Sequence, residues 1–342
     1  MNPIFVSCPG MCTAAGFNAS ASCAAMMAGI SGVKEANLWD WESGSLINAA
    51  RVELPQWWFG VPTLATLAAS AIDESMKRAR VADPEAVPVL LCIAEPSRPG
   101  RLDTIEADMF DELQARLGHA LHPLSRLVAL GQAGGVVALE HARAILADGS
   151  APHCMVAGVD SYLDQTTLDV FMQRRRVMTP ANSNGFIPGE ASAAVLLSAS
   201  ENGPSLQVMG LGTGHETATI DSDEPLQGKG LEQVIRRALS DAGIEIYDTQ
   251  YRMTDLNGEH YKFKESTLVQ PRLLHRSHEA LFDLWHPIEW LGEIGAAIVP
   301  CALGLQLYAS TRDMAPGPTC LGFFGTDSGE RGAYVARYSG GV

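Results

Sequence analysis

Apolar and polar positions along the chain alternate between two rhythms. Pro3 to Ser7 is a short apolar run ending in Pro9-Gly10, which predicts a buried strand, a turn and then a helix. From Thr63 onward, Leu64, Leu67, Ala68, Ala71, Ile72 and Met76 recur at spacings of three and four, placing one apolar stripe on an amphipathic helix. Val87 to Ile93 reads as another buried strand, Pro96 to Arg101 as an exposed loop, and Leu127 to Leu130 as a third strand. That strand runs through Gly131-Gln132-Ala133-Gly134-Gly135 into a helix whose stripe includes Val136, Leu139, Ala142 and Ile145. Cys154 to Gly158 is again strand-like.

The later part of the chain repeats the rhythm. A strand near Leu206 to Gly212 precedes a helical stripe of Leu231, Val234, Ile235, Ala238, Leu239 and Ala242, closed by Gly243. Then come strand-like Tyr251 to Leu256, helical Gly295 to Leu307, and two strands, Thr319 to Phe324 and Gly332 to Tyr338, around the loop Gly325 to Arg331. Alternating strands and helices predict an α/β protein. No low-complexity linker intervenes, so the pattern predicts two similar halves, residues 1–200 and 201–342, sharing one core.

Composition narrows the functional classes. A 46% hydrophobic share across 342 residues is ample for a continuous core, and the net charge of −15 disfavours nucleic acid and anionic lipid surfaces as partners. No apolar run approaches the roughly 20 residues a membrane span requires. The first basic residue is Lys34, so a positive signal-peptide segment is not expected and the reading is cytoplasmic. Seven scattered cysteines (8, 12, 23, 92, 154, 301 and 320) without Cys-x-x-Cys spacing predict reduced, buried thiols rather than a metal site or disulfide frame. No dinucleotide, phosphate-loop or nucleophile-elbow motif suggests a cofactor, and none is predicted.

The stretch Gly185-Phe186-Ile187-Pro188-Gly189-Glu190 through Leu197 resembles the Gly-Phe-x-x-Gly-Glu-x-Ala-x-x-Leu block of β-ketoacyl synthases in the thiolase superfamily. Four further segments fall in the family's order. Val6 to Gly16 resembles its first strand and Gly-Met-Val-Thr turn; Ala238 to Gly243 resembles the helix end before its first catalytic histidine. Gly295-Ala296-Ala297 is similar to the Gly-Ala-Ala after its second, and Gly322 to Asp327 to its Gly-Phe-Gly-Gly-Thr-Asn loop. The resemblance implies a five-layered α/β/α/β/α thiolase-like fold, with two sheets flanking central helices and the halves meeting near residue 200. It also implies a two-fold homodimer through a strand next to the nucleophile segment, for which Leu91 to Ile93 is the candidate.

Ketosynthase chemistry uses a thiolate at a helix N-terminus and two histidines that stabilise the developing oxyanion. The resemblance puts Gln132 at the nucleophile position, Asn257 at the first histidine and Gly292 at the second. The lysine usually five residues before the second histidine is Pro287, and Phe324 replaces a glycine, which would crowd the pocket. His260 and His286 stand off the family spacing and read as solvated or structural histidines. No intact catalytic residues are therefore expected.

Two surface features remain. Arg174-Arg175-Arg176 could dock an acidic partner such as an acyl carrier protein, but reads first as a solvated face. Exposed members of Trp57, Trp58 and Trp290 are candidate anchors for a protein partner. Residues 24–30 and 285–297 resemble degenerate ketosynthase-like proteins of type VI secretion clusters, which implies a non-catalytic adaptor acting on a secretion effector. Gln132 also resembles the substitution in chain-length factors, implying instead a partner subunit of an active ketosynthase. An acyltransferase with a rebuilt site is the third alternative.

Overall fold

The computed structural model describes residues 3–55, 59–274 and 283–340. Trp57 and Trp58 lie outside the described residues. The strands are β1 (Ile4–Thr13), β2 (Lys34–Asp40), β3 (Ser45–Ala49), β4 (Val89–Ile93), β5 (Arg126–Ala129), β6 (His153–Ser161), β7 (Glu190–Ser198), β8 (Ser205–His215), β9 (Tyr251–Thr254), β10 (Asp283–Trp285), β11 (Thr319–Gly325) and β12 (Glu330–Ser339). The helices are α1 (Ala19–Met27), α2 (Val61–Ala79), α3 (Ile105–Leu117), α4 (Gly134–Ala147), α5 (Gln165–Gln173), α6 (Lys229–Ala242), α7 (His260–Leu273), α8 (Ile288–Leu291) and α9 (Ile298–Ser310).

Ten strands form one sheet in the order β10-β9-β11-β12-β8-β1-β7-β6-β4-β5, and β2 and β3 form a separate hairpin. The two five-stranded stretches share one topology. Each has three parallel strands followed by two antiparallel ones, and each begins in chain order at the strand nearest the middle. They meet edge to edge where β1 pairs with β8 through Ile4–Val208, Phe5–Gln207 and Val6–Leu206.

Side-chain alternation along the strands builds the layers. In β4, Leu90 and Cys92 face a central layer containing α4 and α9, while Val89, Leu91 and Ile93 face α2 and α3 outside. In β11, Cys320 and Phe324 face the same central layer, while Leu321 and Phe323 face α6 and α7. The result is five layers, helix, sheet, helix, sheet, helix. Helix α9 is buried at every position except Tyr308, as a helix sandwiched between sheets must be.

Two local expectations require correction. Strand β1 does not stop at Pro9-Gly10 but runs on to Thr13, because a bulge at Cys8-Pro9 absorbs the proline and shifts the register against β7. Leu91 to Ile93 cannot serve as a pairing strand between subunits. They belong to β4, which is hydrogen-bonded to β5 on one side and β6 on the other and is buried throughout. The edge strand beside the nucleophile segment is β5.

Candidate functional site

Gly131, Gln132 and Ala133 form a single 3-10 turn between β5 and α4. Gly131 adopts a φ of 49°, and a Cβ there would collide with the Glu95 carboxylate, so the turn requires glycine. Gln132 is only 4% exposed and points inward. Its Nε2 donates to the Tyr162 hydroxyl at 3.3 Å and to Glu293 Oε1 at 3.2 Å.

Asn257 lies just beyond β9, before α7. Its Nδ2 donates to Glu293 Oε2 at 2.6 Å and to Glu259 Oε2 at 3.2 Å, and its Oδ1 accepts the Glu259 backbone N–H. Gly292 caps α8 and contributes no side chain, and a Cβ there would meet the Ile187 and Pro188 carbonyls. The residue after it does contribute. Glu293 is fully enclosed, and between its two oxygens it receives Gln132, Asn257 and the backbone N–H of Gly295, the last at 3.1 Å. Thus Gln132 and Asn257 come together, through a carboxylate one position past the expected glycine.

Buried charges extend this centre in both directions. Lys262, in the first turn of α7, donates to Asp255 Oδ2 at 2.7 Å and stands 4.0 Å from Glu293 Oε2. Asp255 Oδ2 also accepts the Gly325 backbone N–H. Arg176 grips Glu259 and Asp327 with two contacts to each carboxylate, at 2.6 to 3.0 Å. On the other side Arg98 pairs with Asp160 at 2.6 Å and lies over the Tyr162 ring. Arg176 is therefore no docking cation: it is buried, whereas Arg174 and Arg175 are exposed and pair with Asp221 and Glu42.

Burial raises the Glu293 carboxyl despite the counteracting Lys262. Burial would lower the Lys262 ammonium, yet Asp255 and Glu293 outweigh it and hold the group above its ordinary value. Burial raises Glu95 to about 7, with Arg98 drawing it back only in part. Glu95 Oε2 and Gln132 Oε1 are buried without a hydrogen-bond partner among the described residues. Phe324 faces the central layer, where it stacks on Tyr334 with ring centroids 5.8 Å apart. The cavity beside it, lined by Asp255, Lys262, Gly325 and Asp327 among others, holds about 20 Å3, room for one water and not for an acyl chain.

No described thiol or imidazole enters this network. Cys92 packs against Gly134 near the start of α4, and burial pushes its thiol up to about 12. His260 is exposed at the start of α7, and His286 pairs with Glu289. Trp290 is partly buried against the core, and its carbonyl accepts the Gly32 backbone N–H, so the chain just after residues 24–30 meets the 285–297 segment.

Sequence reasoning missed Glu293, Lys262, Asp255, Arg98, Tyr162 and Glu95. Two signals were available. Gly292-Glu293 stands where Gly-His would, one residue closer to Gly295, and Lys262 follows Asn257 closely in a segment otherwise rich in solvent-facing polar residues.

No family model and no curated protein matches the chain. Solved structures do. The ishigamide ketosynthase/chain length factor aligns with a TM-score of 0.72 at 20% identity, covering 99% of this chain and 100% of that one. A ketosynthase in complex with its chain length factor from Xenorhabdus doucetiae aligns at 0.76 with 14% identity over 99% and 98% of the two chains. A β-ketoacyl synthase from Burkholderia phymatum aligns at 0.76 with 13% identity over 99% and 100%. At these identities the likeness is one of architecture, and it establishes that the chain has the thiolase-like fold of ketosynthases and chain length factors.

Proposed function

We propose that this chain is a non-catalytic, ketosynthase-like partner subunit of the chain-length-factor kind, paired with an active β-ketoacyl synthase. One observation carries the reading: the three positions that would perform acyl transfer hold Gln132, Asn257 and Gly292, and the first two are hydrogen-bonded to the buried Glu293, one residue past the third. An amide cannot attack a thioester, and a buried carboxylate opposes an oxyanion instead of stabilising it. Pairing would use the edge of β5, the edge strand beside the nucleophile segment, in place of Leu91 to Ile93. The structural likeness to ketosynthase and chain-length-factor assemblies favours this partner over a secretion effector, for which the support is sequence segments 24–30 and 285–297 alone.

The test is co-purification from the native organism, to see whether a β-ketoacyl synthase is recovered with the chain, followed by intact mass measurement after incubation with acyl-carrier protein. The expected result is a one-to-one complex in which only the partner ketosynthase becomes acylated. A self-paired chain that captures a spike or effector protein would replace this reading with the adaptor. A stoichiometric acyl adduct on one of its own cysteines would restore the acyltransferase.

A further inference from the structure

The β2–β3 hairpin stands apart from the main sheet, and its two faces differ sharply. Leu38 and Ile47 point inward onto Tyr162, Phe171 and Phe186; Phe186 packs edge to face on the other two rings at 5.2 and 5.4 Å, and Tyr162 and Phe171 lie tilted at 5.9 Å. That packing anchors the hairpin. Trp39 and Trp41 point the other way, in edge contact at 6.2 Å, and Trp41 is 77% exposed. Solvent-facing tryptophans are costly, since each leaves a large apolar ring in water.

Beside Trp41 a groove of about 590 Å3 opens between the hairpin tip and α5, lined by Asp40, Trp41, Glu42, Asp169, Met172, Gln173 and Arg175. Three carboxylates border it against one guanidinium, and that guanidinium is already paired with Glu42 at 3.2 Å. Among the described residues, the neutral Gln165 amide is what bonds Asp169, at 2.7 Å. Hydrogen bonds from Ser43 and from the Glu42 and Ser43 backbones outweigh burial and keep the Asp40 carboxyl below its ordinary value, so it is charged at neutral pH. The groove thus combines an aromatic wall, a thioether floor and surplus negative charge.

We infer that this groove docks a basic peptide segment of a partner protein, with a Lys or Arg side chain laid against Trp41 and Asp169 and an adjoining apolar residue on Met172. Charge complementarity selects that occupant: an acidic or neutral segment would meet unpaired carboxylates, whereas a cation gains both the ion pair and the face of the indole. The chain's net charge of −15 steers the same class of partner toward it. The site is independent of the pairing proposed for β5, being on a separate two-stranded element.

The experiment uses the full chain and three fluorescein-labelled seven-residue peptides: alternating lysine and leucine, glutamate and leucine, and lysine and serine. Fluorescence anisotropy at about 0.15 M salt should show saturable binding of the first alone. Trp41→Ala and Asp169→Lys should each weaken it at least tenfold, with thermal unfolding little changed because Trp41 is exposed and Asp169 is only half-buried. Equal binding of the glutamate peptide, or undiminished binding by both variants, would overturn the inference. So would a halved particle mass on light scattering of Trp41→Ala, which would make this face a contact between copies of the chain.

Discussion

The turn Gly131–Ala133 leading into α4 and the turn Gly295–Ala297 leading into α9 occupy matching places in the two halves of the sheet. Each is a single 3-10 turn opened by a glycine, with φ of 49° at Gly131 and 48° at Gly295, and at each a Cβ would run into a carboxylate, Glu95 or Asp160. The scaffolds match, but their loads do not. The first turn carries Gln132 inward, while the second carries Ala296 and leaves its polar role to Glu293 just ahead of it. Asp160 is held by Arg98 and the Ala296 N–H; the Glu95 oxygen facing Gly131 has no partner among the described residues. Backbone symmetry in this fold therefore survives where side-chain chemistry has diverged.

The strongest way to break the comparison is on the second turn's side. Lys262→Met leaves Asp255 and Glu293 buried beside each other without their cation, and should cost about 3 to 5 kcal/mol in denaturant unfolding. A loss under 1 kcal/mol would mean that the centre is hydrated and the lysine dispensable.

On the first turn's side, pH does the equivalent work. Glu95 is raised from its ordinary 4.5 to about 7, mainly by burial. Between those values the unfolded chain binds fewer protons than the folded one, so raising the pH from about 4.5 to 7 removes roughly 3 kcal/mol of stability, with no further loss from this group above that. Glu95→Gln should flatten that window and be the more stable protein at pH 8. Equal slopes for the two proteins would show that Glu95 is ionised throughout.

The two glycines sharpen the contrast directly. Gly295→Ala forces a methyl against a carboxylate fixed by Arg98, and should destabilise by about 2 to 3 kcal/mol. Gly131→Ala meets the unpartnered Glu95 oxygen, which can rotate away, and should cost about 1 to 2 kcal/mol. The reverse order of melting temperatures would place the rigid carboxylate at Glu95.

Much of this architecture was legible because burial writes itself into periodicity. The stripe from Leu231 to Ala242 and the unbroken apolar run of β4 each encode a helix or strand with a definite face. Periodicity gives a strand's burial but not its neighbours, so it does not show that the edge beside the nucleophile segment belongs to β5 rather than to β4. The site was half legible. The family blocks point to Gln132 and Asn257, which the fold brings onto one carboxylate, but Glu293 was hidden by a one-residue change of spacing, and Lys262 because a buried lysine looks in sequence like any other polar residue on an amphipathic helix. Arg176 was hidden in the same way, by two exposed neighbours of its own kind. Exposed tryptophans are expected among Trp57, Trp58 and Trp290; the first two lie outside the described residues and Trp290 is partly buried, whereas Trp41 shows its ring to solvent because Leu38 and Asp40 have fixed the hairpin's alternation.

The seam between β1 and β8 bears on how the chain emerges from a ribosome. Strand β1 finds its partners only in residues 191–198 of β7 and 206–208 of β8. Nearly two hundred residues must be synthesised before its edges are covered, and at ~5 to 20 residues per second that is a wait of about ten seconds or more. Throughout that interval Ile4, Val6 and Met11 belong to an apolar strand with no sheet to join. A chain arranged in this way depends on early shielding of its first dozen residues, and truncated translation products ending before β7 should accumulate as aggregates or chaperone-bound species.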